Sequence, residues 1–574
     1  MRVLFVSSTL PNSLAIETQI LPVSAAEEQA LQVLTKKVVS KTFASTSQVK
    51  SPILSKSPLA TTSTTTLDES NLKQSTTASS FPKRTRSHST TSQRTSISLL
   101  NSDENLMQNL RLEESQKKTI WKFTEMPGHA AIAAASSLNQ DNADDEKVEK
   151  LFIGWPGPIQ NEQGKEIAYS DLAPEMFEQI KTHYKRETDS IPVFLDAASA
   201  KGHANYCNTT LWPIFHYLVW DDAVLCKEIL RDWQHYVKVN EAFAEKILEI
   251  YKAGDFIWIL DHQLLLLPGL LRQKLQSAPI GFYLRTTFPS SELFRCLPQA
   301  EELLRGMLGA NLIGFNAYAY ARHFTSCCTR VLGLEASLQR IDYEGAPVDL
   351  AVIPTGIDAM ETFEMLKSPE VKEKLERFTE LYNGMAVLLG IDRFNQSKGI
   401  IHQLSAYERF LKDHPEWIGR VVLIQIILPN QEISNFSSSE IKPSKDLSLI
   451  TDKAAQINSR YGSIEYVPIS IYHQDIELSE YYALLQVADC YISTKERDSL
   501  SLVPLDFVLC QEEKGKKSPI LLSEFTALSG SMSTSLLINP WDHSAVSQAI
   551  HKALTMPIDE KRSRHQVTTD RLLI

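Results

Sequence analysis

Two basic residues, Arg393 and Lys398, stand on a polar loop that follows the apolar run "AVLLGID" and precedes the amphipathic stretch "GIIHQLSAYERFL". Backbone amides and the dipole at a helix N-terminus favour anions, and two adjacent cations strengthen such a site. Asp506, one turn into the stretch "LVPLDF", is a carboxylate that could hold ribose hydroxyls. These residues predict a diphosphate or nucleotide site, and the alternative is a pair of solvated surface charges.

Other polar side chains directly follow short apolar runs along the chain. In open parallel sheets, ligands bind outside the carboxyl ends of the strands, so these residues are also candidates for a site. They are Asp261 after "FIWIL", Arg285 after "IGFYL", Asn316 after "LIGF", Gln431 after "IQIILPN", and Arg497 with Asp498 after "CYIST".

The elements that must position these residues alternate between short β-rich runs and longer amphipathic stretches. Continuous apolar strands alternating with helices indicate parallel sheets covered on both faces, and there are too many units for one sheet. We therefore predict an α/β fold with two Rossmann-like domains facing across a cleft. The N-terminal domain is expected to have its first strands in 1–40 and its remainder in 117–350. The C-terminal domain is expected in 351–545, and a closing helix in 546–574 is expected to return to the first domain.

Residues 41–116 form a Ser/Thr-rich segment with few aromatic residues and no sustained apolar period. Such a segment cannot bury enough surface to offset the entropy lost on ordering, so we predict a disordered insert near the N-terminus. Ser87, Ser89 and Ser96 follow arginines at spacings that basophilic kinases favour, and a phosphate there would invert the local charge. They are phosphorylation candidates, with an unmodified basic linker as the alternative.

The bulk composition excludes several classes of protein. A formal net charge of -11 argues against a general nucleic-acid-binding protein, because phosphate backbones require clustered lysine and arginine. No apolar run is long enough for a transmembrane helix, so no membrane association is expected. The 7 cysteines are scattered without a C-x-x-C pair, which favours reduced thiols over disulfides or a zinc site. We expect a cytoplasmic protein without a metal or bound cofactor.

Eight blocks occur in an order that resembles the trehalose-6-phosphate synthase family of retaining glycosyltransferases. They are "GWPGP", "LWPIFHY", "TFPSSELFRCLP", "LIGFNAYAYARHF", "PTGID", "IDRFNQSKGI", "RDSLSLVPLDF" and "LLSEFT". The resemblance covers nearly the whole chain outside the Ser/Thr-rich insert. It implies two Rossmann-like domains of the GT-B type and a metal-free transfer of glucose from UDP-glucose to glucose 6-phosphate.

The resemblance also implies which residues bind each substrate. Residues that match the family's nucleotide-binding positions make UDP-glucose a possible ligand, although Ser499 and Ser501 replace the glycine and asparagine of the "RDGMNLV" loop. Trp212 and Asp261 are remnants of acceptor binding. The matching donor-side residues are Arg393, Lys398, Leu502 and Val503, with Asp506 where relatives have glutamate.

The sequence departs from the family where the chemistry occurs. Thr9 and Gln431 stand where active members have arginines for the sugar phosphate, so two cations that would hold a dianion are lost. His203 replaces a tyrosine, and both Arg285 and Asn316 replace histidines. Arg285 either fills a pocket that no longer binds substrate, paired with Asp261 or Glu292, or binds a phosphate itself.

These losses favour a non-catalytic, regulatory or scaffolding subunit of a trehalose-6-phosphate synthase complex. Its partners would be catalytic synthase and trehalose-phosphatase subunits. A weakly active UDP-glucose:glucose-6-phosphate glucosyltransferase is one alternative, and a UDP-glucose-binding sensor is another. No phosphatase D-x-D-x-T motif follows "LLSEFT", and the sequence leaves open whether the natural protein continues beyond "KRSRHQVTTDRLLI".

Overall fold

The computed structural model describes residues 2–20, 117–125, 148–160, 166–167, 174–218, 226–394, 396–429 and 445–572. By their internal contacts, Met1–Ala15 and Lys122–Ile574 form one unit and Ile16–Trp121 form another. The larger unit holds two large sheets and every candidate residue that the structure describes.

The first large sheet is built from the N-terminal half of the chain. The strands up to the domain junction are β1 (Arg2–Thr9), β2 (Asn12–Ile20), β3 (Lys117–Glu125), β4 (Glu149–Trp155), β5 (Ile159–Gln160), β6 (Glu166–Ile167), β7 (Ser190–Pro192), β8 (Phe256–Leu260), β9 (Ile280–Leu284), β10 (Leu312–Phe315), β11 (Arg340–Tyr343) and β12 (Ala346–Val352). Eight of these strands form the first large sheet, in the order β11-β12-β10-β9-β8-β1-β4-β7, and β2, β3, β5 and β6 lie outside it. Among the described pairs of this sheet, only the edge pair β11–β12 is antiparallel.

Helices cover this sheet, as its apolar strands require. They are α1 (Pro174–Thr188), α2 (Ala197–Asn205), α3 (Trp212–Phe215), α4 (Cys226–Ile250), α5 (Leu267–Lys274), α6 (Ser291–Phe294), α7 (Ala300–Met307) and α8 (Tyr318–Leu332). Every residue of β9 is buried, which fits a strand covered on both faces. A π-helical turn, Tyr206–Leu211, joins α2 to α3, and a 3-10 turn, His262–Leu264, follows β8.

The second sheet belongs to the C-terminal half. Its strands are β13 (Ala386–Arg393), β14 (Val421–Leu428), β15 (Ile469–His473), β16 (Cys490–Ser493), β17 (Ile520–Ser523) and β18 (Leu536–Ile538). They pair in parallel in the order β15-β14-β13-β16-β17-β18. The accompanying helices are α9 (Ala359–Leu366), α10 (Pro369–Leu381), α11 (Ile400–Asp413), α12 (Lys445–Tyr461), α13 (Leu478–Val487), α14 (Val503–Lys514), α15 (His543–Thr555) and α16 (Ile558–Leu572).

The last helix, α16, packs on the C-terminal domain. His565 lies 2.8 Å from a carboxylate oxygen of Glu512 on α14, and Arg564 donates a hydrogen bond to the Thr534 carbonyl at 2.8 Å. These contacts are with its own domain, and the expected return of the closing helix to the first domain stays a prediction. The polar residues of α16 face partners on its own domain and hold it there.

The predicted α/β fold with two Rossmann-like parallel sheets is confirmed. The first sheet takes its strands from Arg2–Val352 and the second from Ala386–Ile538, whereas the predicted disordered insert at 41–116 lies outside the described residues. In the described ranges, no helix is long and apolar enough to cross a membrane. Five of the cysteines whose side chains are described are buried and unbridged, and Cys296 is exposed.

Gly399 lets two loops of the second sheet touch. It begins α11 with a φ of 65°, and a Cβ atom there would lie 2.0 Å from the Thr494 carbonyl oxygen. Across this contact the Thr494 hydroxyl donates to the Gly399 carbonyl at 3.0 Å, and the Glu496 amide donates to Ser397 at 2.9 Å. The loop after β13 is thereby fixed against the loop after β16.

We expect Gly399→Ala to destabilise the protein more than Gly419→Ala. Both glycines have positive φ, which costs an alanine roughly 1–2 kcal/mol, but a Cβ at Gly419 meets nothing within 4 Å. Overpacking against Thr494 should add roughly 1–3 kcal/mol at Gly399. Urea unfolding of the two variants measures the difference, and equal midpoints would contradict the close approach of the two loops.

Candidate functional site

Three candidate residues lie side by side at one edge of the first sheet. Asp261 follows β8, Arg285 follows β9 and Asn316 follows β10, and these three strands are parallel neighbours. The carboxyl ends of parallel strands share one edge, so the fold itself brings these distant sequence positions together. This edge is the N-terminal wall of the candidate site.

Asp261 is an acceptor held in an unusual backbone conformation. Its φ of 70° is one that non-glycine residues rarely adopt, and its carboxylate accepts hydrogen bonds from the amides of His262, at 2.9 Å, and Thr286, at 3.3 Å. Burial favours the neutral acid, but the hydrogen bond with the His262 ring and the Arg285 charge outweigh it and hold the pKa of Asp261 below its ordinary value. Strain of this kind clusters at functional sites.

Three ring nitrogens near Asp261 are buried without a hydrogen-bond partner among the described residues: Trp212 Nε1, His216 Nε2 and His262 Nε2. The Trp212 ring stacks on His216, with centroids 3.8 Å apart, and lies 5.8 Å from His262. Burial, together with the Lys398 charge, lowers the pKa of His216 to about 3. His216 is therefore neutral near pH 7 and gives no positive charge to a phosphate.

His203 has a structural environment. Its Nε2 lies 2.9 Å from the Gln263 carbonyl oxygen, and its ring stacks on Tyr236 with centroids 5.2 Å apart. Burial lowers the pKa of His203 to about 4, so the ring is neutral. One ring nitrogen of His203 and the face of its ring are therefore both in contact with other residues of the first domain.

Ser499, from the C-terminal domain, joins two residues of the first domain. Its hydroxyl accepts a hydrogen bond from Asn316 Nδ2 at 2.8 Å and donates one to the Arg285 carbonyl. Asn316 Nδ2 also donates to the Arg285 carbonyl at 2.6 Å, and its Oδ1 accepts from the Tyr283 hydroxyl at 2.5 Å. Three positions that depart from the resembled family's pattern thus form one hydrogen-bonded group between the domains.

The Arg285 side chain is half-buried and makes no ion pair with the described residues. Glu292 pairs instead with Arg295, at 2.5 Å, and with Arg330, so the expected pairing of Arg285 with Glu292 is wrong. Attraction to Asp261 acts at longer range than a direct ion pair. The backbone carbonyl of Arg285, rather than its guanidinium, makes the contacts across the cleft.

A buried ionic network lies at the carboxyl ends of β13 and β16. Asp498 lies 3.0 Å from Lys398 and 2.8 Å from Lys495, which is also 3.2 Å from Asp392. Burial opposes ionisation of Asp498, but the two ammonium groups outweigh it and hold its pKa below the ordinary range. The charge of Lys398 is therefore already compensated by a protein carboxylate.

The remaining donor-side candidates line the same end of the second sheet. Arg393 ends β13 and is exposed, while Leu502 and Val503 are half-buried at the start of α14. The Tyr481 hydroxyl donates to the Asp506 carboxylate at 2.6 Å, and burial raises the pKa of Asp506 to about 6. Arg393 is thus the donor-side cation most open to an incoming anion.

The other predicted residues divide between described and undescribed parts of the chain. Thr9 ends β1, and the Ser7 hydroxyl donates to its carbonyl at 2.6 Å. Gln431 and the phosphorylation candidates lie outside the described residues. The roles assigned to Thr9, Gln431 and the phosphorylation candidates stay predictions.

Sequence reasoning missed several residues that shape the site. Lys495 and Asp392 complete the ionic network. Each is a charged residue at the end of an apolar run, and the same pattern pointed to Asp261 and Arg285, so the sequence could have indicated them. Arg497 was recognised only as a strand-end residue. Its guanidinium lies 3.8 Å from the ring centroid of Tyr217, whose φ is 65°. A contact between residues so distant in sequence leaves no local pattern.

One group outside the cleft has metal-ligand residue types. Atoms of His414, Glu416 and His551 that could bind a metal lie within 4.8 Å of one another. The two imidazole rings are stacked, with centroids 3.9 Å apart and planes 4° from parallel. The lone pairs of the nitrogens lie in the ring planes and do not converge on one ion, so we assign no metal to this group.

We expect Asp506→Asn to stabilise the protein near pH 7 and not near pH 4. The pKa of about 6 exceeds the ordinary 3.8, so the folded state binds this proton more tightly and loses stability as pH rises through that window. The effect should be roughly 2 kcal/mol, and asparagine still accepts the Tyr481 hydrogen bond. Urea unfolding at both pH values measures it, with the exposed Glu380→Gln as control, and an equal gain at both pH values would refute the assignment.

Known proteins resemble this chain in sequence and fold. A family model described as glycosyltransferase family 20 matches residues 99–573. Alpha,alpha-trehalose-phosphate synthase (UDP-forming) A of Dictyostelium discoideum is 37% identical over 449 residues, which cover 77% of this chain and 56% of that protein. The corresponding synthase of Yarrowia lipolytica is 34% identical over 459 residues, covering 78% of this chain and 90% of that protein.

The fold is similar to the N-terminal domain of Candida albicans trehalose-6-phosphate phosphatase, with a TM-score of 0.69 and 34% identity. That similarity covers 78% of this chain and 92% of the other. The match of the family model to most of the chain confirms the resemblance found in the sequence. This chain belongs to glycosyltransferase family 20.

Proposed function

We propose that this chain is a regulatory or scaffolding subunit of a trehalose-phosphate synthase complex and does not itself transfer glucose. The observation that carries the proposal is the hydrogen-bonded group of Ser499, Asn316 and the Arg285 carbonyl. The changed side chains of Ser499 and Asn316 bond to each other across the cleft, where a transferase needs groups directed at its substrates.

The acceptor side supports the proposal through the loss of cations at positions where the family pattern has them. Thr9 ends β1 where the family pattern has an arginine, and His216 is neutral because burial lowers its pKa to about 3. One charged hydrogen bond to a phosphate contributes roughly 1.5–3 kcal/mol, so each lost cation weakens binding about ten- to a hundredfold. A sugar phosphate should therefore bind this cleft weakly.

The donor side supports partial retention of nucleotide binding. Arg393 is exposed at the end of β13, but Lys398 is paired with Asp498 at 3.0 Å, so a diphosphate must compete with a protein carboxylate for that cation. The two alternative functions, a weakly active glucosyltransferase and a UDP-glucose sensor, both require nucleotide binding on this side of the cleft. Relatives named as UDP-forming synthases favour the first of these alternatives.

The similarity to the Candida albicans domain favours a role without synthesis. That domain is the N-terminal domain of a protein named as a phosphatase rather than as a synthase. By analogy, we propose catalytic synthase and trehalose-phosphatase subunits as partners of this chain. Association with them would give the altered cleft a role that needs no turnover.

The purified chain should release no UDP above background from UDP-glucose and glucose 6-phosphate. Two lost acceptor cations and a compensated Lys398 leave both substrates weakly held. A coupled UDP assay measures this, with an active synthase as positive control. Co-purification of the chain with that synthase, and a change in its rate, would support the regulatory role. Sustained turnover by the isolated chain would contradict the proposal and favour the glucosyltransferase.

If the cleft binds UDP-glucose, the ligand should raise the thermal unfolding temperature and Arg393→Ala should abolish that rise. A ligand at a hundred times its Kd stabilises the folded state by about 2.7 kcal/mol. Arg393 is a cleaner target than Lys398, whose loss also disturbs Asp498. Arg420→Ala, an exposed arginine just before β14 at the opposite end of the strands, is the matched control. An unchanged shift in Arg393→Ala would show that the donor site is misassigned.

A further inference from the structure

The loop after β16 makes four contacts with the first domain through three consecutive residues. The Arg497 guanidinium stacks on the Tyr217 ring at 3.8 Å, and the Asp498 carbonyl accepts from the Tyr320 hydroxyl at 3.2 Å. Ser499 bonds both Asn316 and the Arg285 carbonyl. Arg497, Asp498 and Ser499 are hereafter called the bridge segment.

Both ends of these contacts are held rigidly. In the first domain, the Tyr283 hydroxyl that bonds Asn316 also lies 2.6 Å from the Ile353 carbonyl oxygen and 3.0 Å from the Thr355 hydroxyl. Those two residues follow β12, where the chain leaves the first domain. The contact group is therefore tied to the connection between the domains as well as to the strand ends.

On the other side, the bridge segment is held by the core of the second domain. Lys398 and Lys495 bind the Asp498 carboxylate, and the Ala527 amide donates to its carbonyl at 3.2 Å. The adjacent Glu496 amide donates to Ser397 at 2.9 Å. Because the bridge segment is anchored to the second domain, it moves together with that domain. Its contacts with the first domain therefore affect the position of the second domain as a whole.

We propose that the bridge segment is a latch that holds the two Rossmann domains closed on each other without a ligand. Enzymes that close around a substrate use the substrate's contacts to stabilise the closed state. Here side chains of the protein supply contacts between the two walls.

The inference goes beyond the proposed function, because a latch can exist whether or not the chain transfers glucose. It predicts that domain opening is set by Ser499 and Asn316. A neutral hydrogen bond shifts an equilibrium about two- to tenfold, so removing one should raise the open population by that factor. UDP-glucose should have little further effect on closure in the wild-type chain.

Hydrogen exchange of the full chain, without ligand, tests the latch. Ser499→Ala should raise amide exchange about two- to tenfold in the first-domain segment 283–290 as well as in 497–503, because exchange follows the opening equilibrium. Asn316→Ala, made from the other side, should raise exchange in the same two segments.

Ser518→Ala is the matched control, since its buried hydroxyl donates to the Ala488 carbonyl within one domain at 3.1 Å. It should leave segment 283–290 unchanged. The latch would be refuted if the Ser499→Ala effect stayed within 497–503, or if β8 and β13 exchanged faster to the same extent, which would indicate general destabilisation. UDP turnover plays no part in these readouts, so an active enzyme would overturn the proposed function and leave this test intact.

Discussion

The site depends on one buried carboxylate, Asp498, which is shared by Lys398 and Lys495. A buried charge is tolerated only when it is paired, and here two cations outweigh the cost of burial. Because those cations come from the loops after β13 and β16, the pairing fixes the two loops against each other. Gly399 permits this by allowing the backbones to touch where a side chain would collide. The neighbouring Arg497 and Ser499 are thereby presented to the first domain.

The framework of the fold was predictable from the sequence, because apolar runs such as "IGFYL" and "VVLIQIIL" satisfy the burial that a central parallel strand requires. The rule that ligand-binding residues follow the carboxyl ends of parallel strands also placed Asp261, Arg285 and Asn316 at one edge of the sheet. Pairing between side chains was not predictable in this way. Lys398 looks like a free phosphate-binding cation in the sequence, and its partner Asp498 lies far along the chain. The packing of α16 depends on the same kind of contact, His565 with Glu512.

The two halves of the cleft differ in how they depart from a transferase. The first domain keeps Trp212 and Asp261 and packs the neutral, buried imidazole of His216 against Trp212, so that ring adds no positive charge there. The second domain keeps its cations, but one of them already has a carboxylate partner. Loss of acceptor charge and compensation of donor charge are separate physical changes. Together they support the proposal that this chain binds or assembles and does not itself transfer glucose.

The hydrogen bond between Asn316 and Ser499 also constrains how this sequence can evolve. Glycine at position 499 would leave the Asn316 amide with only the Arg285 carbonyl as acceptor, and loss of the Asn316 amide would leave the serine hydroxyl with only its bond to that carbonyl. Each reversion is unfavourable unless the other accompanies it, which is epistasis between residues on separate domains.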